Sequence, residues 1–206
     1  AIVGVVIIGG ITSIARAAAV IVPFMAGIYI LGCLVIISMS WENIPIAIES
    51  AVSGAFGNDA MAGGALGALI IGFQRALFSN EAGLGSASIA HSAVKTKEPA
   101  SEGLVGLLEP FIDTVVVLTL SSLVILTTAV PNGLMGGELA GIELTSAAFA
   151  YHLPWAPYLI ACAAVLFAFS TALAWSYYGL TAWNYLVGIG KWRTIAFQAT
   201  FLTFFA

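Results

Sequence analysis

Gly72-Phe73-Gln74-Arg75-Ala76-Leu77-Phe78-Ser79-Asn80-Glu81-Ala82-Gly83-Leu84-Gly85-Ser86 follows an apolar, glycine-rich run, Met61 to Ile71, and brings Gln, Arg, Asn, Glu and two Ser into sequence that otherwise reads as membrane. A bilayer-crossing helix holds such residues only where protein or a water-filled cavity covers them. Ala60 to Ile71 rises only about 18 Å at ~1.5 Å per residue, too short for a hydrocarbon core of about 30 Å. It needs a continuation beyond the polar stretch. The sequence therefore predicts a second half-helix, Ala76 to about Ala90, and a break near 72–75.

The surrounding composition agrees. The 206 residues are 61% hydrophobic and 8% charged, with a mean hydropathy of +1.06, whereas soluble domains carry about 25% charged residues. That excludes a soluble globular domain and predicts an all-α polytopic membrane protein lying in a lipid bilayer. A net charge of −4 without a basic run excludes nucleic acid as a partner. Cys33 and Cys162 sit inside apolar runs and read as small packed residues. The chain starts at Ala1 inside one apolar run and stops at Ala206 inside another. An internal piece of a longer protein is expected, with preceding helices of the same protein as partners.

A single transmembrane domain over 1–206 is expected, with spans at about 1–8, 17–38, 60–90 (broken near 72–75), 103–130, 158–186 and 194–206. Residues 9–16 read as a short link, 42–59 as an amphipathic surface helix, 91–102 as a polar loop, and 131–157 as a long acidic connection. Taking alternate connections as one side, Arg16, Lys95, Lys97, Lys191 and Arg193 fall together. The other side holds Glu42, Glu49, Asp59, Glu138 and Glu143 and no Lys or Arg. The positive-inside rule assigns the basic side to the cytoplasm, provided that 60–90 crosses once.

Broken helices expose backbone N–H groups and carbonyls at mid-membrane, which suit a substrate carboxylate and Na⁺. Gly72 is placed for such a break, and Phe73 for covering an apolar substrate group. The other reading makes Gly63, Gly64, Gly67 and Gly72 sites of close helix packing. Gln74, Arg75, Asn80 and Glu81 read as a gating or cavity-lining set, with direct substrate contact as the alternative. Ser170 and Thr171, beside the Phe167 carbonyl, offer hard oxygen ligands to a small cation, unless they simply bond back to their own helix. Thr171 and Trp175 share a helix face. Asp113 and Thr114 are candidates for lining a cavity, since an intramembrane carboxylate is a functional hypothesis by default.

Enzyme readings fail on the residues. Gly83-Leu84-Gly85-Ser86 with His91 lacks the Gly-x-Ser-Gly order of a serine intramembrane protease. Asp113 has no aspartate partner in another span, and no Walker-type Gly-Lys-Ser/Thr appears. A channel or non-transporting membrane subunit would need a polar stripe through several spans, but the polar residues cluster at mid-depth.

Four stretches together resemble the alanine or glycine:cation symporters (the sodium:alanine symporters of the amino acid–polyamine–cation superfamily). They are the quoted run with its Phe78-Ser79-Asn80-Glu81-Ala82-Gly83-Leu84-Gly85, Ile21-Val22-Pro23-Phe24-Met25-Ala26, Ala90-His91-Ser92-Ala93, and Phe111-Ile112-Asp113-Thr114. Ala76 departs from the Gly expected there, and the loop Gly133 to Gly141 is long. The resemblance implies a leucine-transporter-like inverted-repeat fold, here from the end of the fourth to the start of the ninth transmembrane helix. It implies a secondary-active symporter of the inner (plasma) membrane that couples Na⁺ to uptake of a small neutral amino acid, alanine or glycine. An H⁺-coupled amino acid transporter is the alternative. By the same resemblance Gly72, Phe73, Thr171 and Trp175 would face the amino acid, and Ser170, Thr171 and the Phe167 carbonyl would hold Na⁺.

Overall fold

A computed structural model describes the protein at residues 2–56, 65–79, 84–134, 139 and 141–205, and the regular structure among them is helical throughout. In chain order the elements are α1 (Ile2–Ile8), α2 (Gly10–Met39), a 3-10 turn (Trp41–Asn43), α3 (Ile44–Phe56), α4 (Ala65–Ser79) and α5 (Ser86–Ser92). They continue with α6 (Pro99–Pro110), a π-helix (Phe111–Leu118), α7 (Thr119–Ala129), α8 (Ile142–His152), α9 (Ala156–Val187) and α10 (Lys191–Phe205). Three helical stretches are long and apolar enough to cross a membrane: Gly10–Met39, Pro99–Ala129 and Ala156–Val187, of 30, 31 and 32 residues. At ~1.5 Å per residue each exceeds the roughly 30 Å of a hydrocarbon core.

Several boundaries differ from the sequence expectation. The link expected at 9–16 is helical, because α2 starts at Gly10 and its Ile14 is buried. Only Gly10 needs a positive φ, of 70°, to leave α1. The break expected near 72–75 is absent: α4 runs unbroken through Gly72 and ends at Ser79. One Gly costs a helix interior only about 1 kcal/mol relative to Ala, and its neighbours here (Leu69, Gln74, Arg75, Ala76, Leu77) are strong helix formers. The chain instead turns at Leu84 and Gly85 before α5. The connection expected at 131–157 contains a helix, α8. The span expected at 103–130 starts at Pro99 and changes winding after Pro110. Proline has no N–H to give to the carbonyl four residues back, and its ring crowds that carbonyl; a π-turn is one way a helix absorbs such a fault.

The chain forms two compact units, 1–29 with 161–206, and 30–160, dividing within α2 and within α9. In the first, Ile7, Ile14 and Leu173 are buried together, with Phe169, Tyr177, Phe201 and Leu202 packed against them. The Gln198 amide donates a 3.3 Å hydrogen bond to the Ile7 carbonyl, tying α10 to α1. The α9 helix ends at Gly188, whose φ of 88° suits a residue without a Cβ. Its N–H bonds the Asn184 carbonyl at 3.0 Å, and Arg193 Nη1 donates to the Val187 carbonyl at 2.6 Å. In the second unit, α7 packs on α3 and α8. Among the described residues, Cys33, Ile36, Ala47, Val124, Ala129, Ala148, Phe149, Ala156 and Ile160 are its buried apolar residues.

Candidate functional site

On α4, Gly72 and Phe73 are exposed, and a Cβ built at Gly72 would meet nothing within 4 Å among the described residues. Close packing of α4 at Gly72 is therefore not what the described neighbours require. Gln74 is exposed and Arg75 lies in the same helix. Asn80 and Glu81 lie outside the described residues.

The α9 helix has two faces. Ala172, Leu173 and Ser176 are buried, with the Ser176 hydroxyl donating to the Leu173 carbonyl at 2.7 Å. Phe167, Thr171 and Trp175, spaced by four, form an uncovered stripe. Ser170 is half-buried and its Oγ donates to the Phe167 carbonyl at 3.0 Å. Two of the oxygens expected to hold Na⁺ are thus adjacent, and Ser170 bonds back to its own helix. Trp175 meets Tyr178 edge-on, with ring centroids 6.0 Å apart.

Asp113 and Thr114 fall inside the π-helix, Asp113 half-buried and Thr114 exposed. A π-turn winds more residues per turn than an α-turn, so helical spacing alone gives their directions wrongly. Gly72, Phe73 and Gln74 belong to the unit 30–160, and Phe167, Ser170, Thr171 and Trp175 to the other.

Sequence reasoning missed two polar ties between distant stretches. Ser40, buried after α2, shares a 2.7 Å hydrogen bond with His152 Nε2 at the end of α8. Beside it, Asn43 Nδ2 donates to the Thr127 carbonyl at 3.0 Å. Partners 112 and 84 residues apart leave no local pattern to read. Desolvation by burial lowers the His152 pKa from its ordinary 6.5. The folded protein thus favours the neutral ring. The tie is intact above pH 6.5 and its contribution is lost as the pH falls below that value through the lowered folded pKa. Ser40→Ala should cost about 1 kcal/mol at pH 8, measured as unfolding of the purified protein in detergent. His152→Gln should flatten the loss of stability below pH 6.5, and an unchanged slope would contradict the assignment.

A family model described as the sodium:alanine symporter family matches residues 1–206. The chain is 45% identical over 185 residues to the sodium/alanine symporter AgcS of Methanococcus maripaludis, covering 89% of this chain and 41% of that protein. It is 38% identical over 193 residues to the amino-acid carrier protein AlsT of Bacillus subtilis, covering 92% and 40%. To the sodium/proton-dependent alanine carrier protein of Bacillus sp. strain PS3 it is 36% identical over 219 residues, covering 100% and 49%. The chain thus spans less than half the length of these curated relatives. A match to the whole of the chain, and relatives named as symporters and carriers, agree with the apolar helices: the chain belongs to the sodium:alanine symporter family.

Proposed function

We propose that this chain forms part of a secondary-active symporter of the plasma membrane that couples Na⁺ to uptake of a small neutral amino acid, alanine or glycine. The observation that carries the reading is the family match along all 206 residues. On this reading the fold is leucine-transporter-like, and the chain supplies the end of the fourth to the start of the ninth helix. Transport proceeds by alternating access about a site near mid-membrane.

The α9 stripe is the pocket wall. Thr171 and Trp175 face the amino acid, and Ser170 Oγ, Thr171 Oγ1 and the Phe167 carbonyl are the Na⁺ ligands. Ser170 would exchange its bond to the Phe167 carbonyl for the ion, which hydroxyl and carbonyl oxygen then share as hard ligands. Gly72 and Phe73, on α4, are the other residues proposed to meet the amino acid, Phe73 by covering its apolar group and Gly72 by presenting a helix surface without a Cβ. Gln74, Arg75, Asn80, Glu81, Asp113 and Thr114 line the cavity or gate it. A second reading, coupling to H⁺, is favoured by the name of one relative, the sodium/proton-dependent alanine carrier protein of Bacillus sp. strain PS3.

The full-length protein in proteoliposomes should take up labelled alanine under an inward Na⁺ gradient, and uptake that persists with K⁺ in place of Na⁺ would overturn the coupling. Thr171→Val should weaken apparent Na⁺ affinity roughly tenfold, about 1.4 kcal/mol. An unchanged Na⁺ dependence would remove Thr171 from the ion site.

A further inference from the structure

Helices α5 and α6 meet at one histidine. His91, in the last turn of α5, has Nδ1 2.6 Å from Glu102 Oε1 and Nε2 3.8 Å from Glu109 Oε2. The two carboxylates stand about two turns apart on α6, and Gly106 lies between them. A Cβ built at Gly106 would sit 3.4 Å from Nε2 and 3.7 Å from Cδ2 and Cε1, so the outer edge of the ring rests on bare backbone. The side chains of His91, Glu102 and Glu109 are 27%, 17% and 39% exposed, so the group is shielded yet reachable. Beside it, a cleft of about 470 Å³ opens between the 93–98 loop and the first turns of α6.

The chemistry follows from counting donors. A neutral imidazole has one N–H and can donate to one carboxylate; an imidazolium has two and can serve both. The 2.6 Å contact is a hydrogen bond, while 3.8 Å is an ion-pair distance and holds only through charge. No other charged residue lies on α5. Among the described residues, the remaining charges nearby are Lys95, Lys97 and Glu98 in the exposed loop and Asp113 beyond Glu109 in the π-helix.

We propose that His91, Glu102 and Glu109 form a proton-binding clasp between α5 and α6, held at both ends when the ring carries two protons and at the Glu102 end alone when it carries one. Proton binding and loss at the ring is the whole reaction; water supplies and accepts the proton through the cleft. The α5 helix follows the turn at Leu84 and Gly85, so the clasp sets how firmly the segment after that turn is anchored. Any influence on transport rests on the symporter reading, but the clasp does not, and its test uses no transport.

Hydrogen exchange of the full-length protein in nanodiscs, at pH 5.5 and 8.0 and corrected for intrinsic rates, reads the clasp directly. Protection of the α5 amides should be about two- to fivefold higher at pH 5.5, the range for a partly exposed ion pair. His91→Gln should abolish the difference, and Glu109→Gln should remove most of it while leaving protection at pH 8.0 in place. Equal protection at the two pH values, or a difference that survives His91→Gln, overturns the clasp. A second measurement does not depend on the fold of His91→Gln. Glu109→Gln alone, compared with the unsubstituted protein at pH 5.5, should show the lower α5 protection, and equal protection overturns the proposal.

Discussion

Phe149→Ala is expected to destabilise the 30–160 unit by about 3–5 kcal/mol, the cost of emptying a packed aromatic site. Phe149 is fully buried in α8. Its ring reaches α2 at Gly32, where a Cβ would come within 3.2 Å of Cε1. The helix is short and sits outside the three long apolar stretches. Eleven residues of helix are marginal by themselves, so α8 owes its place to packing of this kind. Truncation removes the ring and leaves a void that neighbouring helices cannot fill by collapse. Unfolding of the purified protein in detergent should show the loss, and exchange should show α8 opening before α7. A change below about 1 kcal/mol would mean that the site closes around alanine. Gly32→Ala gives the internal control. Alone it crowds the ring; in the Phe149→Ala background its methyl group enters the void. The two should couple by about 0.5–3 kcal/mol, and additive effects would deny the contact.

Much of this architecture is legible in the sequence, and the errors have physical causes. Long apolar runs force helices because lipid offers backbone groups no partners, so the helical class follows from composition. The break expected near 72–75 rests on the short apolar run 60–71 and the polar residues after it, whereas α4 continues through Gly72 to Ser79. The described turn lies downstream, at Leu84 and Gly85, where Gly85 takes a φ of 76° that favours glycine. The α8 helix hides in a Gly-rich connection, yet Gly141 before it, Glu143 in its first turn and His152 in its last are the expected terminal residues. Pro110 was visible, but not that the eight residues after it would wind as a π-helix.

The candidate site divides in the same way. The stripe Phe167, Thr171 and Trp175 is written into α9 by helical period, and the uncovered face is where the period puts it. The ties Ser40 to His152 and His91 to Glu109 depend on helix placement, which local pattern does not carry. His91 could have been suspected, since it precedes two carboxylates spaced for one helix face. What the sequence shows only as scattered polar residues, the fold collects at helix ends.

Gly179→Leu is expected to cost the first unit about 1–3 kcal/mol, because it puts a side chain where an aromatic ring already lies. A Cβ at Gly179 would fall 2.7 Å from Phe197 Cζ, well inside contact distance. A lone phenyl ring could swing aside cheaply. This one is flanked by Trp183 and by Phe201, each with its ring centroid 6.0 Å away. Displacing Phe197 therefore disturbs the row of rings along α9 and α10, and Phe201 in turn packs against the core of Ile7, Ile14 and Leu173. Close approach of helices through small residues is a main source of association where lipid weakens the hydrophobic drive, so the loss should appear as loosening of α10. Exchange of the α10 amides should rise in Gly179→Leu and rise less in Gly179→Ala. Adding Phe197→Leu should recover part of the loss by making room, whereas its own cost alone would otherwise add to the first. Additivity of Gly179→Leu and Phe197→Leu, or unchanged α10 exchange, would mean that the ring row tolerates the intrusion and that the glycine serves no packing role.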